Sequence, residues 1–183
     1  MARKETFTID KILNTAFAIA REEGIEEVTA RKVAAKAECS TQPIFRTYKN
    51  MDELWGEVYN KAVVFFHDYY SLYPKSGRMP FSNLGMAYIS FAREEKKLFE
   101  LLFLHKSKYN KTLYEVLNAE EGNVMRELSL AAEQGCKDPE ALFMKMWIFI
   151  HGAACMTLTG EYDLSDAETV ALLEDSYKAF STI

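Results

Sequence analysis

Thr29-Ala-Arg-Lys-Val-Ala-Ala-Lys-Ala-Glu-Cys-Ser-Thr-Gln-Pro-Ile-Phe-Arg-Thr-Tyr48 reads as two short helices with a tight break between them. Thr29 is a good N-cap residue, and the apolar Val28 stands just before it. Val33, Ala34 and Ala37 recur at helical spacing, which makes one side apolar and closely packable. Arg31, Lys32 and Lys36 lie largely away from that stripe. Glu38-Cys39-Ser40 interrupts the pattern, and Ser40 is positioned to cap a second helix. Pro43 is tolerated there because the first turn of a helix leaves its backbone N–H groups without partners. Ile44 and Tyr48 face one way, leaving Thr41, Gln42, Phe45, Arg46 and Thr47 for the other faces. A short exposed helix that carries hydroxyls, an amide and a guanidinium suits the reading of base edges in a major groove.

Upstream, Thr8 can cap a helix with Asp10 in its first turn. Ile9, Ile12, Leu13, Ala16, Phe17 and Ala20 follow helical spacing, and Gly24 ends it. Met1 to Phe7 reads as an arm whose Arg3 and Lys4 could reach phosphates. Downstream, Asn50 caps a helix with Glu53 placed for a reciprocal bond. Leu54, Val58, Ala62, Phe66 and Tyr70 carry that helix to about Leu72, a rod of roughly 33 Å. The spacing predicts an all-α chain: a three-helix helix-turn-helix domain over residues 1–50 and a larger helical domain over 51–183.

The order of these features resembles the helix-turn-helix of the tetracycline-repressor (TetR) family of transcriptional regulators. The resemblance runs from Ile9 to Leu54. Ile44-Phe45-Arg46-Thr47-Tyr48 stands where the family usually has Leu-Tyr-x-His-Phe, and Asn50-Met51-Asp52-Glu53-Leu54 where it usually has Ser-Lys-Glu-Glu-Leu. Three positions depart from the pattern. Phe45 replaces a tyrosine that often touches phosphate, Thr47 replaces a histidine, and Met51 replaces a lysine that holds the DNA backbone. The resemblance implies a homodimer paired through the last two helices, a palindromic double-stranded DNA operator, and a small-molecule effector held in the larger domain. On that footing Arg31 is assigned to a guanine edge or a nearby phosphate. Gln42 suits adenine, Arg46 suits guanine, and the Pro43 ring and Thr41 lie on the base side. Thr29, Ser40, Thr47 and Lys49 position phosphates, and Phe45 gives apolar contact.

Charge is divided along the chain. The formal net charge is −5, yet residues 1–50 hold nine Lys/Arg against seven Asp/Glu, and residues 51–183 hold thirteen against twenty. A local positive face on an acidic protein follows, although such charges are also what ordinary solvated helices carry. No run of eighteen apolar residues occurs, so no membrane span is expected. No apolar stretch follows the start, so no secretory signal is read there. Three widely spaced cysteines fit a reducing cytoplasm better than a disulfide framework.

The larger domain reads as helices over about 81–94, 98–104, 112–134, 139–158 and from Ser165 onward. Leu142, Phe143, Met146, Trp147, Ile150 and Ala154 form one apolar stripe. Phe149, Gly152, Ala153 and Met156 extend it sideways, more than one core needs. The aromatics Phe66, Tyr70, Tyr88, Phe91, Phe103 and Trp147, with His151, are candidate lining for an effector pocket and suggest a flat or hydrophobic ligand. Aromatics at helical spacing are more often simply core. His151 and Cys155 sit four apart on one helix, but no second close pair completes a metal site, so no metal and no cofactor are expected. No glycine-rich phosphate loop and no GxSxG elbow occurs, so no enzyme is read. A second reading is an all-helical ligand-binding or interaction protein with weakened DNA binding, for which Phe45 and Met51 speak.

Overall fold

The computed structural model describes residues 9–105, 113–118 and 122–181. Thr8, Arg3, Lys4 and the expected arm lie outside these, as does the expected helix start at Thr112. Among the described residues every regular element is helical. They fall into two compact units.

The first unit holds α1 (Ile9–Glu23), α2 (Ala30–Lys36), α3 (Gln42–Thr47), the first part of α4 (Met51–Leu72) as far as Phe65, and the chain from Lys97 onward to His105. Its core is the apolar periodicity of the sequence made solid. Ile12, Ala16, Ile19 and Ala20 of α1 are buried with Val33, Ala34 and Ala37, and with Ile44, Leu54 and Val58. A short 3-10 turn, Ile25–Glu27, joins α1 to α2. Trp55 donates its indole N–H to the Val28 carbonyl at 2.8 Å, which fixes α4 against that turn. Phe17 and Phe65 pack at 5.7 Å, with the Arg21 guanidinium 4.7 Å over the Phe65 ring and the Lys61 ammonium 5.5 Å over Phe17. Such cation–π contacts contribute roughly 0.5–1 kcal/mol each at exposed sites. The segment after α6 (Lys96–Phe99) winds as a π-helix over Glu100–Leu104 and buries Leu101 and Leu102.

The second unit runs from Phe66 to Lys96 and from Lys111 onward. It holds α5 (Ser82–Glu94), α7 (Leu113–Asn118), α8 (Asn123–Glu133), α9 (Pro139–Thr159) and α10 (Asp166–Ser181). α5 is buried on nearly all sides, from Ser82 to Ala92 with only Asn83 partly open, and α9 and α10 pack on it and on each other. Asp138 caps α9 through Ala141 N–H at 2.9 Å with Pro139 in the first turn. Glu161 N–H to Met156 O and Gly160 N–H to Thr157 O close its other end as a Schellman motif. Ser165 and Glu168 form the expected capping box at α10.

One expected helix, 112–134, is two. α7 stops at Asn118, whose Oδ1 accepts the N–H groups of Val124 at 3.1 Å and Met125 at 3.4 Å. Gly122 stands between them at φ +62, left-handed backbone that a side chain resists. A capping side chain and a left-handed glycine together set α8 off as a separate helix.

α9 is, by length and composition, long and apolar enough to cross a membrane, with a mean hydropathy of 1.5 over eighteen residues. Its polar interruptions and its packing give that composition another cause. Glu140, Lys145 and His151 break the run, and Leu142, Met146, Trp147, Ile150, Ala153, Ala154 and Thr157 are buried within the unit. The outward apolar row differs from the expected one. It is Met144 (54% exposed), Ile148 (66%), Gly152 and Met156 (43%), a ridge with a four-residue repeat. Ala153 is buried, and Phe149 packs edge-on to Phe180 at 6.5 Å.

Candidate nucleic-acid interface

Thr29 accepts the Lys32 N–H at 3.2 Å and so caps α2 as its position suggests. An accepting hydroxyl still has its own proton to donate, so the cap leaves a phosphate contact open. Val33 and Ala34 bury one side of α2, and Arg31 and Lys36 are exposed on the others. Cys39 N–H to Ala34 O at 2.9 Å and Glu38 N–H to Ala35 O at 3.2 Å close the helix. That closure puts Glu38 at φ +59, a left-handed conformation few residues other than glycine adopt without cost.

The cap of α3 is Thr41, not Ser40. Thr41 takes the N-cap position without a side-chain bond, and Ser40 is exposed one residue earlier. The α2 closure consumes Glu38 and Cys39, which shifts the helix start by one. Ile44 is fully buried and Tyr48 nearly so, and these two anchors turn the rest of α3 outward. Gln42, Phe45 (51% exposed) and Arg46 stand open, while Thr41, Pro43 and Thr47 are half-buried. The Thr47 hydroxyl donates to the Pro43 carbonyl at 3.2 Å, so its one proton is engaged and a phosphate contact would have to displace that bond. At the start of α4 the Asn50 side chain accepts Glu53 N–H at 3.0 Å. Glu53 returns a bond at 2.7 Å to the N–H of Lys49, one residue earlier than the expected reciprocal partner.

The electrostatics of this face divide the cations into two groups. Lys32 pairs with Glu23 and with Glu27, and Lys36 pairs with Glu22. The Glu23 carboxylate, and then Glu27, hold the Lys32 ammonium above its ordinary pKa, and the Lys32 bond draws Glu27 below its own. Arg31 and Arg46 make no ion pair among the described residues. Lys49, 88% exposed at its side chain, has only a long contact of 3.7 Å to Glu53. The positive potential is therefore carried by three of the five cations counted here. The residues that sequence reasoning did not assign to this face are Glu22, Glu23, Glu27 and Glu38. Their acidity was visible in the sequence, but the pairing of Glu22, Glu23 and Glu27 with Lys36 and Lys32 across a turn was not.

The expected effector-lining residues do not share one place. Phe66, Tyr88, Phe91, Trp147 and His151 form a packed aromatic cluster in the second unit. Phe66 meets Phe91 at 5.0 Å and Tyr88 at 6.3 Å, Tyr88 meets Trp147 at 4.7 Å, and Trp147 stacks on His151 at 5.8 Å. The Tyr88 hydroxyl and His151 Nδ1 are 2.9 Å apart, and Cys155 Sγ lies 3.6 Å from His151 Nε2. Burial raises the Tyr88 and Cys155 pKa values and lowers that of His151, so all three favour their neutral forms. Tyr70 instead borders a cavity of about 200 Å³ with the 77–80 loop and α8. Phe103 lies in the first unit, against Phe99 at 5.1 Å. Among the described residues no three His, Cys, Asp or Glu side chains gather as a metal site.

Residues 81–180 match the family described as Tetracyclin repressor-like, C-terminal domain. Two solved structures share the fold. One is a TetR-like transcriptional regulator from Rhodococcus sp. RHA1, with 18% identity, 92% of each chain covered and a TM-score of 0.65. Another is a protein from Mesorhizobium loti MAFF303099 assigned to the TetR family of transcriptional regulators, with 20% identity, 94% of each chain covered and a TM-score of 0.60. No curated protein sequence matches the chain.

Proposed function

The chain belongs to the Tetracyclin repressor-like family, and from that premise we propose that it is a sequence-specific DNA-binding repressor, released from a palindromic operator when a small molecule binds its larger domain. Residues 1–50 read the DNA, and residues 51–183 bind the effector and pair two copies through α9 and α10. The observation that carries this reading is α3. Two buried anchors, Ile44 and Tyr48, hold a one-and-a-half-turn helix whose outward residues are Gln42, Phe45 and Arg46.

In this reading α3 lies in the major groove. Arg46 makes a bidentate bond to a guanine, Gln42 one to an adenine, and Pro43 and Phe45 lie against thymine methyl groups, with Thr41 beside them. Arg31, Thr29, Ser40, Thr47 and Lys49 hold the backbone. Two-fold pairing sets two copies of α3 about 34–36 Å apart, one turn of DNA. The chain works beside the genome in the cytoplasm and catalyses no reaction. Selection of bound sites from random duplexes, followed by gel retardation, tests it. Arg46→Ala should cost about 1–3 kcal/mol on the selected site and relax the preference at one base position.

A second reading has an observation of its own. Glu22, Glu23 and Glu27 neutralise two of the five cations on the reading face, and Glu38 adds a negative charge at its turn. An all-helical ligand-binding or interaction protein with weakened DNA binding would look like this. Selection that enriches no site, with retention insensitive to sequence, would decide for it.

A further inference from the structure

The cavity of about 200 Å³ beside Tyr70 lies wholly within the second unit. Its wall is fixed in advance. Gly77 N–H donates to Asn83 Oδ1 at 2.9 Å, and Asn83 Nδ2 donates back to the Gly77 carbonyl at 3.0 Å. Arg78 N–H donates to Glu174 at 2.8 Å. The Lys75 ammonium donates to the Tyr70 carbonyl at 3.0 Å and lies 3.7 Å over the Tyr70 ring. A Cβ on Gly77 would come within 2.5 Å of Ser82 Cβ, so this close approach needs glycine.

Inside stands Glu127, 6% exposed, on α8. Its Oε2 accepts the N–H of Phe81, whose backbone is left-handed at φ +65. Its Oε1 has no hydrogen bond among the described residues. Burial pushes the Glu127 pKa up, while Phe81 N–H and the nearby Arg126 and Lys75 charges draw it back. Arg78 and Arg126 also border the cavity, both exposed, and neither guanidinium makes an ion pair among the described residues. The chemistry is thus one recessed carboxylate whose second oxygen has no hydrogen bond among the described residues, with two exposed arginines lining the same cavity. A purely cationic ligand would meet repulsion from the arginines, and a purely anionic one from Glu127. The volume is below the roughly 300–1,000 Å³ typical of drug-sized ligands.

We propose that this cavity binds a small zwitterion of the amino-acid type, with its ammonium on Glu127 Oε1 and its carboxylate on the guanidinium of Arg126 or Arg78. This deepens the effector reading with a polar ligand in place of the hydrophobic one that the aromatic residues suggest. Its consequence for DNA rests on that reading, but binding itself does not.

The test is calorimetry and thermal shift on the full chain without DNA, using the twenty protein amino acids as probes. Each one that binds is compared with its amine lacking the carboxylate and its acid lacking the amine. At least one amino acid should bind and raise the melting temperature, and either truncated analogue should bind about tenfold or more weakly. The double variant Arg78→Ala with Arg126→Ala alters exposed side chains only. It should leave the unliganded chain folded with a cooperative melting transition and weaken binding about tenfold or more. Glu127→Gln, which can still accept Phe81 N–H, should weaken the amino acid more than the deaminated acid. The inference is overturned if no amino acid binds at millimolar concentration, or if the arginine variant binds as well as the parent. A chain that binds an amino acid but selects no DNA would leave this inference standing and overturn the repressor reading. The opposite result would do the reverse.

Discussion

Tyr48 is the residue whose chemistry fits its place least. Its ring anchors α3, yet its hydroxyl is buried with no hydrogen-bond partner among the described residues. Burial foremost, then the Glu57 and Asp10 charges, raise its pKa. A buried polar group without a partner costs roughly 1–3 kcal/mol. The TetR pattern usually has phenylalanine at this position. Tyr48→Phe should therefore stabilise the protein by about 1 kcal/mol in urea denaturation and leave the selected DNA site unchanged. At this scale the sequence is legible where the interaction is local. Thr29 with Lys32, Asp138 with Ala141 and Ser165 with Glu168 are all three apart, and each cap forms where the residue types place it. Lys32 with Glu23 and Lys36 with Glu22 are nine and fourteen apart across a turn, and no periodicity encodes those pairs.

Among the elements, α8 shows what spacing alone cannot tell. Leu113, Val116, Leu117, Val124, Leu128 and Ala131 keep helical register across the break, so the pattern reads as one helix while Asn118 and Gly122 divide it. The division places Glu127 under the N-terminus of α5, where its carboxylate meets Phe81 N–H. Register could place Glu127 on a helix but not under another one. Its burial sets a sign for pH dependence. The folded pKa lies above the ordinary 4.5, so the folded state holds the proton more tightly than the unfolded chain. That contribution is full below the unfolded pKa and is lost as pH rises through the folded one. Glu127→Gln removes the titration. Relative to the parent, this variant should gain stability as pH rises through that window, and denaturation midpoints measured across it read the slope. A flat difference would deny the burial. The boundary of the first compact unit falls at Phe65, inside α4, where no glycine or proline marks the chain. Apolar periodicity passes through such a point unaltered, because it reports that a face is buried and not which neighbours bury it.

For the whole molecule, the exposed ridge of α9 is the face on which the proposed pairing of two chains would rest. Met144, Ile148 and Met156 stand open in the single chain around Gly152, where an added Cβ would meet nothing within 4 Å. The sequence showed the surplus of apolar residues on this helix. Which of them point outward depends on how α5 and α10 take the others. Ile148→Glu puts a charge in the middle of the ridge and should leave each chain folded but unpaired. Light scattering would then report a monomer, with operator affinity down about tenfold or more.

Glu22 and Glu23 at the end of α1, with Glu27 in the turn after it, would leave a further mark on a DNA-bound pair of chains. Cations already matched by carboxylates have few small ions to displace from duplex DNA. A pair of chains with Arg31 and Lys49 engaging phosphate would show a log–log ionic-strength slope of about −4, where Lys32 and Lys36 joining them on each chain would give about −7. A repressor of this kind would hold its site through a rise in salt that would strip a more basic competitor from it.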